Sequence, residues 1–193
     1  MAIKIYIDQG HNPVNPNAGA EGNGYREQDI TYDIGVRLAS ILRGEGFETR
    51  LSRPNPEIIL GTSNSSSLRA RVSDANSWGA DYFISLHTNA SAITTASGSE
   101  AYVFRLGSES AVLADYILRQ LNFATGLPNR GVFARPSLYV VRRTAMPALL
   151  LEMGFITNPS DASLMVEHPE LFADAIYEGM LSYFDLSAPA VGE

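Results

Sequence analysis

The chain is predicted to be an α/β domain built on a mostly parallel, twisted sheet of about six strands, with helices on both faces. Three observations support this. Short β-branched and aromatic runs alternate with segments whose apolar residues recur at helical spacing, as in strand–helix–strand units. Clusters of Gly, Asn, Pro and Ser punctuate those segments. Three of the strand-like runs stop on a polar residue able to bind metal or move a proton, and ligands in open α/β sheets bind beyond the carboxyl ends of the strands.

The first run, Ile3-Lys4-Ile5-Tyr6-Ile7-Asp8, leads into Gln9-Gly10-His11. Residues 10 to 28 are rich in Gly, Asn and Pro and predict a long ordered loop, of a kind that is commonly functional inside compact domains. From Asp29 to Arg43, Ile30, Ile34, Leu38, Ile41 and Leu42 recur at helical spacing, and Gly44 and Gly46 are stop signals. Phe47 to Ser52 predicts a short strand. Residues 53 to 66 predict a polar loop whose Ser run caps a helix from Ser67 to Trp78. Tyr82 to His87 is the next strand, followed by a small-residue loop and a strand from Ser99 to Phe104. Val112, Leu113, Tyr116, Ile117 and Leu121 mark a further helix, and Leu138 to Val141 and Ala148 to Leu151 predict two more strands. Pro169 opens a final helix with Phe172, Ala173, Ile176, Met180 and Phe184 toward the core. No internal repeat is present. Residues 1–186 form one domain, and Ser187-Ala188-Pro189-Ala190-Val191-Gly192-Glu193 reads as the start of a linker toward a further module.

A chain of 193 residues is long enough for one domain that buries about 70% of its unfolded surface. Its 45% hydrophobic and 18% charged content describes an ordinary globule rather than a disordered or fibrous chain. A formal charge of -7 argues against binding duplex nucleic acid and gives no general attraction to anionic membranes. No apolar run approaches the ~20 residues of a membrane span, so membrane insertion is not expected. The start Met1-Ala2-Ile3-Lys4 has no basic, apolar and cleavage-site regions of a secretory leader, so the protein is expected either to lack one or to have had it removed. With no cysteine, a zinc site here must be built from His, Asp and Glu, which suits an open catalytic site better than a thiolate-rich structural one.

If the three polar-tipped strands run parallel and adjacent, His11, His87 and Glu152 meet at one rim, and Glu27 in the loop after the first strand is the fourth candidate. Singly these residues are unconvincing. A lone strand-end His is more often structural, and Glu27 can simply cap the helix that follows it. Glu152 is harder to dismiss, because it ends a run of leucines with no adjacent basic residue and burying a bare carboxylate is costly. Jointly they make chemical sense: two neutral imidazoles and one carboxylate hold zinc and leave a position for water, while a second carboxylate moves the proton that amide hydrolysis requires. His168, in Glu167-His168-Pro169, reads as a surface turn residue. Rival motifs are weak: Gly61-Thr62-Ser63-Asn64-Ser65-Ser66-Ser67 lacks the Lys of a phosphate-binding loop, and no Gly-x-Ser-x-Gly elbow is present.

Four segments together resemble the catalytic domain of the zinc-dependent N-acetylmuramoyl-L-alanine amidases, the Amidase_3 type of bacterial autolysins, spore-lysis enzymes and phage endolysins. They are Ile7-Asp8-Gln9-Gly10-His11; Gly19-Ala20 through Gly24-Tyr25-Arg26-Glu27; Arg71 through Asn76 with Ala80 to Ala90; and Pro147 through Asn158. The resemblance runs from Ile3 to Phe184. It implies that His11, Glu27 and His87 ligate Zn2+, that Glu152 is the general acid/base, and that Asn89, Glu100 and Arg71 have supporting or substrate-binding roles. Glu21 is the rival third ligand, and the Gly-x-x-Glu spacing favours Glu27. The implied substrate is the amide between N-acetylmuramic acid and L-alanine in bacterial peptidoglycan, cut at the cell wall, with a wall-binding module following the tail in a longer chain. The first motif departs from the common form, since Gln9 precedes Gly10 and Asn12-Pro13 follow His11. The ligand is kept, and the shape of the adjoining loop is what differs.

Overall fold

The computed structural model describes residues 2–187 of the chain. Six strands form one sheet: β1 (Lys4–Gln9), β4 (Glu48–Leu51), β5 (Tyr82–Asn89), β6 (Ser99–Val103), β7 (Asn129–Ala134) and β8 (Ala148–Phe155), in the order β4-β1-β5-β8-β6-β7. All neighbours are parallel except β6 and β8. A two-strand hairpin, β2 (Glu21–Gly22) and β3 (Tyr25–Arg26), lies inside the expected loop of residues 10 to 28. Helix α1 (Glu27–Gly44) therefore starts two residues earlier than its apolar spacing suggests.

Helices α1, α3 (Glu109–Thr125), α5 (Pro159–Glu167) and α6 (Pro169–Ser187) cover one face of the sheet. Strand residues Ile5, Ile7, Ile84, Leu86, Ala101, Val103, Leu149 and Leu151 pack there against Ile34, Leu38, Leu113, Ile117, Phe172 and Ile176. Among the described residues, the opposite face carries only α2 (Asn64–Trp78) and the short α4 (Tyr139–Arg143), packed on Tyr6, Phe83, Ala148 and Leu150. Strand side chains alternate between faces, so each strand contributes one row to each layer. Ser63 caps α2 with a reciprocal capping box to Ser66, so the helix starts three residues before the expected Ser67 and takes in the Ser run, and Gly79 closes it in the left-handed region at φ 69°.

The strand count agrees with expectation, but one member differs. Leu138 to Val141 is not a strand: Leu138 is the N-cap of α4 and the run continues as one helical turn. An apolar run of four residues has no periodicity to separate strand from helix. The sheet edge is taken instead by β7, whose mostly exposed residues carry no alternation to announce it. Helix α5 was also not anticipated. Ser187, read as part of the tail, is the last residue of α6, and the remaining 188–193 lie outside the described residues. No described helix is long and apolar enough to cross a membrane.

Candidate active site and metal centre

The thinly covered face turns polar at the carboxyl ends of its central strands. Along β1 the row runs from Tyr6 to Asp8, along β5 from Phe83 through Ser85 to His87, and along β8 from Ala148 through Leu150 to Glu152. Register aligns Asp8 with Ser85 and His87 with Glu152. His11 follows β1 in a left-handed conformation, φ 69°, unusual for a residue with a β-carbon.

His11, Glu27 and His87 form a group able to hold a metal ion, with one ligand atom from each lying within 4.8 Å of the others. His11 Nε2 is 3.1 Å from Glu27 Oε2, and His87 Nδ1 is 3.0 Å from Glu27 Oε1. The rings meet edge to face with centroids 4.8 Å apart. Glu27 is the first residue of α1, yet its carboxylate does not cap the helix. It accepts the Ala20 N–H at Oε2 and the Thr88 N–H at Oε1, both at 2.9 Å, which aims both oxygens at the imidazoles. Burial alone would raise the Glu27 carboxyl, but the hydrogen bonds and charge of the two histidines outweigh it and hold it well below the usual carboxylate range. Two glycines make room. A Cβ on Gly10 would sit 2.6 Å from His87 Cε1, and one on Gly19 would sit 2.8 Å from Glu27 Cβ. Glu21, the rival ligand, is exposed on β2, in register with Arg26, and stands outside the group. His168 is exposed beside Glu170, as a turn residue should be.

The donor set tests well for a divalent cation. It has two neutral-capable nitrogens and a carboxylate, no thiolate, and a buried His11 Nδ1 with no hydrogen-bond partner among the described residues. Glu152 stands next to it, half-buried, its Oε2 buried without a partner among the described residues. Burial, with Glu27 and Glu100 adding negative charge, pushes its carboxyl up to about 8.

Asn89 and Glu100 also reach this rim. Glu100 is the cross-strand partner of Glu152, and its Oε1 accepts from Asn89 Nδ2 at 2.9 Å and from the Tyr102 hydroxyl. Arg71 behaves differently, being only 1% exposed and lying beneath the site rather than on it. It donates to Asp8 Oδ1, Gln9 O and His11 O, each at 2.6 Å, while Ser85 donates to the other Asp8 oxygen at 2.8 Å. This is the geometry of a support for the strained His11 backbone. Sequence reasoning missed two further residues. Arg130 on β7 donates from Nε to Glu100 Oε2 at 2.7 Å. Asp161 accepts from Ser97, Gly98 and Phe155. Neither has a strand-end position or apolar run to mark it.

A family model described as N-acetylmuramoyl-L-alanine amidase, Amidase_3, matches residues 5–182. The chain is 36% identical over 184 residues to the N-acetylmuramoyl-L-alanine amidase LytC of Bacillus subtilis, covering 93% of this chain and 35% of that one. It is 37% identical over 164 residues to a sporulation-specific N-acetylmuramoyl-L-alanine amidase of the same organism, covering 83% of this chain and 59% of that one. The chain thus spans about a third and three-fifths of the lengths of these two relatives. Among solved structures, an N-acetylmuramoyl-L-alanine amidase from Clostridium difficile 630 superposes with a TM-score of 0.85 at 28% identity, covering 97% of this chain and 99% of that one.

Proposed function

Since the chain belongs to the Amidase_3 family of N-acetylmuramoyl-L-alanine amidases, we propose that it is a zinc amidase acting on bacterial peptidoglycan at the cell wall. The bond cut is the amide between the lactyl group of N-acetylmuramic acid and the L-alanine of the stem peptide. One observation carries this reading: two imidazoles and a carboxylate facing one another within 4.8 Å, beside a buried carboxyl with no partner. His11, Glu27 and His87 would hold the zinc. Bound there, the metal supplies Lewis acidity toward the amide carbonyl and lowers the pKa of water.

The remaining work falls to the chain. Glu152 takes the proton of the attacking water and returns it to the departing alanine amine. Backbone N–H groups of Ala20 and Thr88 keep Glu27 aimed at the histidines, and Arg71 holds the His11 carbonyl from below. Asn89 and Glu100 line the substrate side. The test is mass spectrometry of the soluble products from purified peptidoglycan, with and without a chelator, alongside metal content by atomic emission. Stem peptides with a free L-alanine amine, lost on chelation and restored by zinc, are expected. Cuts confined to glycan or to peptide-internal bonds overturn the reading.

A further inference from the structure

The rim around Glu152 carries the negative charge of Glu27 and Glu100. Arg130 brings a cation to it from the edge strand β7. Its Nε is bound to Glu100 Oε2 at 2.7 Å, one terminal nitrogen donates to Ser97 O at 3.3 Å, and the guanidinium carbon lies 5.0 Å from the centre of the Phe155 ring. These contacts orient the planar fork but leave its second terminal nitrogen with no acceptor among the described residues, on a side chain 41% exposed. A guanidinium has five N–H donors in fixed geometry, matched to a carboxylate. Glu100 is itself satisfied, by Asn89 and Tyr102 on one oxygen and Arg130 on the other, so the pair forms a rigid mount.

Position sets what the fork can meet. Glu100 is the cross-strand partner of Glu152, and adjacent strands lie about 4.8 Å apart. The guanidinium head is thus roughly one strand spacing plus a hydrogen bond from the acid/base carboxyl. An extended peptide advances about 3.5 Å per residue, so a chain leaving the scissile amide across β6 brings its second residue to Arg130.

We propose that Arg130 anchors a free carboxylate on the peptide portion of the substrate, at the residue after the alanine, and so selects carboxylate-bearing over amidated stem peptides. This rests on the amidase reading above. A merely structural Arg130, holding Glu100 in place, would affect both kinds of substrate alike.

The experiment compares two N-acetylmuramoyl-L-alanyl peptides that differ only in whether the second residue carries a free carboxylate or a carboxamide. Both are given to the zinc-loaded protein and to Arg130→Lys and Arg130→Met. The wild type is expected to favour the free carboxylate by about five- to tenfold in kcat/KM, mostly through KM, as for a charge-assisted fork in a half-exposed site. Arg130→Met should cut the two substrates at one rate, and Arg130→Lys should keep part of the preference. Equal rates for the two substrates in the wild type, or a parallel fall on both in the variants, overturn the anchor. The wild-type comparison stands even if a variant misfolds. Cleavage of neither substrate by the wild type overturns the amidase reading and the anchor with it, which a shift in preference alone cannot do.

Discussion

The two faces of the sheet are built from the same strands and do different work. Toward α1, α3, α5 and α6 the rows are apolar from Ile5 to Ile7, Ile84 to Leu86 and Leu149 to Met153, and turn polar only past these, at the buried Gln9 and Thr88. Toward α2 and α4 the same strands change from apolar to polar toward their carboxyl ends, first at Asp8 and Ser85 and then at His87 and Glu152. A fully covered apolar face can supply most of the burial that offsets chain entropy. The thin face can then keep an unpartnered carboxyl and a left-handed histidine, both of which cost stability. Substitutions on the two faces should therefore separate stability from chemistry.

The largest effect is expected at Glu152. Glu152→Gln should lower kcat on the order of a thousandfold, the range of a lost acid/base group, while metal content by atomic emission stays at the wild-type level. Thermal stability should hold or rise, because the variant removes a buried carboxyl without a partner. Retained turnover would break the contrast between the faces at its most important point.

Beneath the site, Arg71→Met removes one member of a fully buried ion pair and should cost about 3–5 kcal/mol in denaturant unfolding. Its pH dependence sharpens the test. Burial tends to raise the Asp8 carboxyl, but the charge and hydrogen bond of Arg71, with Ser85, hold it below the ordinary value of 3.8. Asp8 thus contributes stability above that value, and the contribution is lost as pH falls through its depressed folded pKa. Without Arg71, burial dominates and the folded pKa moves above the unfolded one, so protonation becomes stabilising as pH falls. The gap in Tm between wild type and Arg71→Met should narrow from pH 7 toward pH 3; a constant gap would show that the pair is not what Arg71 contributes. Zinc affinity should also fall, since the carbonyl of His11 loses its 2.6 Å donor.

On the other face, Leu38 is fully buried among α1, α6 and the sheet. Leu38→Ala should cost about 3 kcal/mol, as large-to-small core changes do, with kcat per folded molecule and zinc affinity unchanged. A change in kcat would mean that the apolar layer sets the site geometry more tightly than the division between faces allows.

Much of this was legible in the sequence because the informative residues sit where patterns break. His11, His87 and Glu152 each end or follow an apolar strand, and register brings them to one rim. Glu27 was legible only as one of two readings, since a carboxylate at the start of a helix is also a cap. Of the two N–H groups that turn it toward the histidines, that of Thr88 comes from a distant strand, and that of Ala20 is brought back to it by the hairpin of β2 and β3. The role of Arg71 depends on burial, which a helix row of Leu68, Arg71, Val72 and Ala75 does not disclose. Strand β7 and with it Arg130 escaped because Asn129–Ala134 lies at an edge, where neither face demands alternation.

The smallest predicted effect is that of Asp161→Asn, and Asp161 is the finest probe of what binds the rim together. It lies in the first turn of α5, after Asn158 and Pro159, so local sequence marks it only as a favourable acid near a helix N-terminus. The structure gives it a second use. It is buried at 1% exposure and accepts Gly98 N–H and Phe155 N–H at 3.0 Å through Oδ2, and Ser97 Oγ at 2.6 Å through Oδ1. It thus ties the end of β8 to the segment before β6, and the Ser97 carbonyl in turn accepts from Arg130. Asp161→Asn can preserve the shape: its oxygen takes both N–H groups, its amide donates to Ser97 Oγ, and about 1 kcal/mol is lost with the charge. Asp161→Ala leaves two buried N–H groups unpaired and should cost about 2–4 kcal/mol. If the tie also positions Arg130, the alanine variant should reduce the preference for a carboxylate-bearing substrate while the asparagine variant keeps it. Equal stability of the two variants in denaturant unfolding would show that the tie does not hold this end of the sheet.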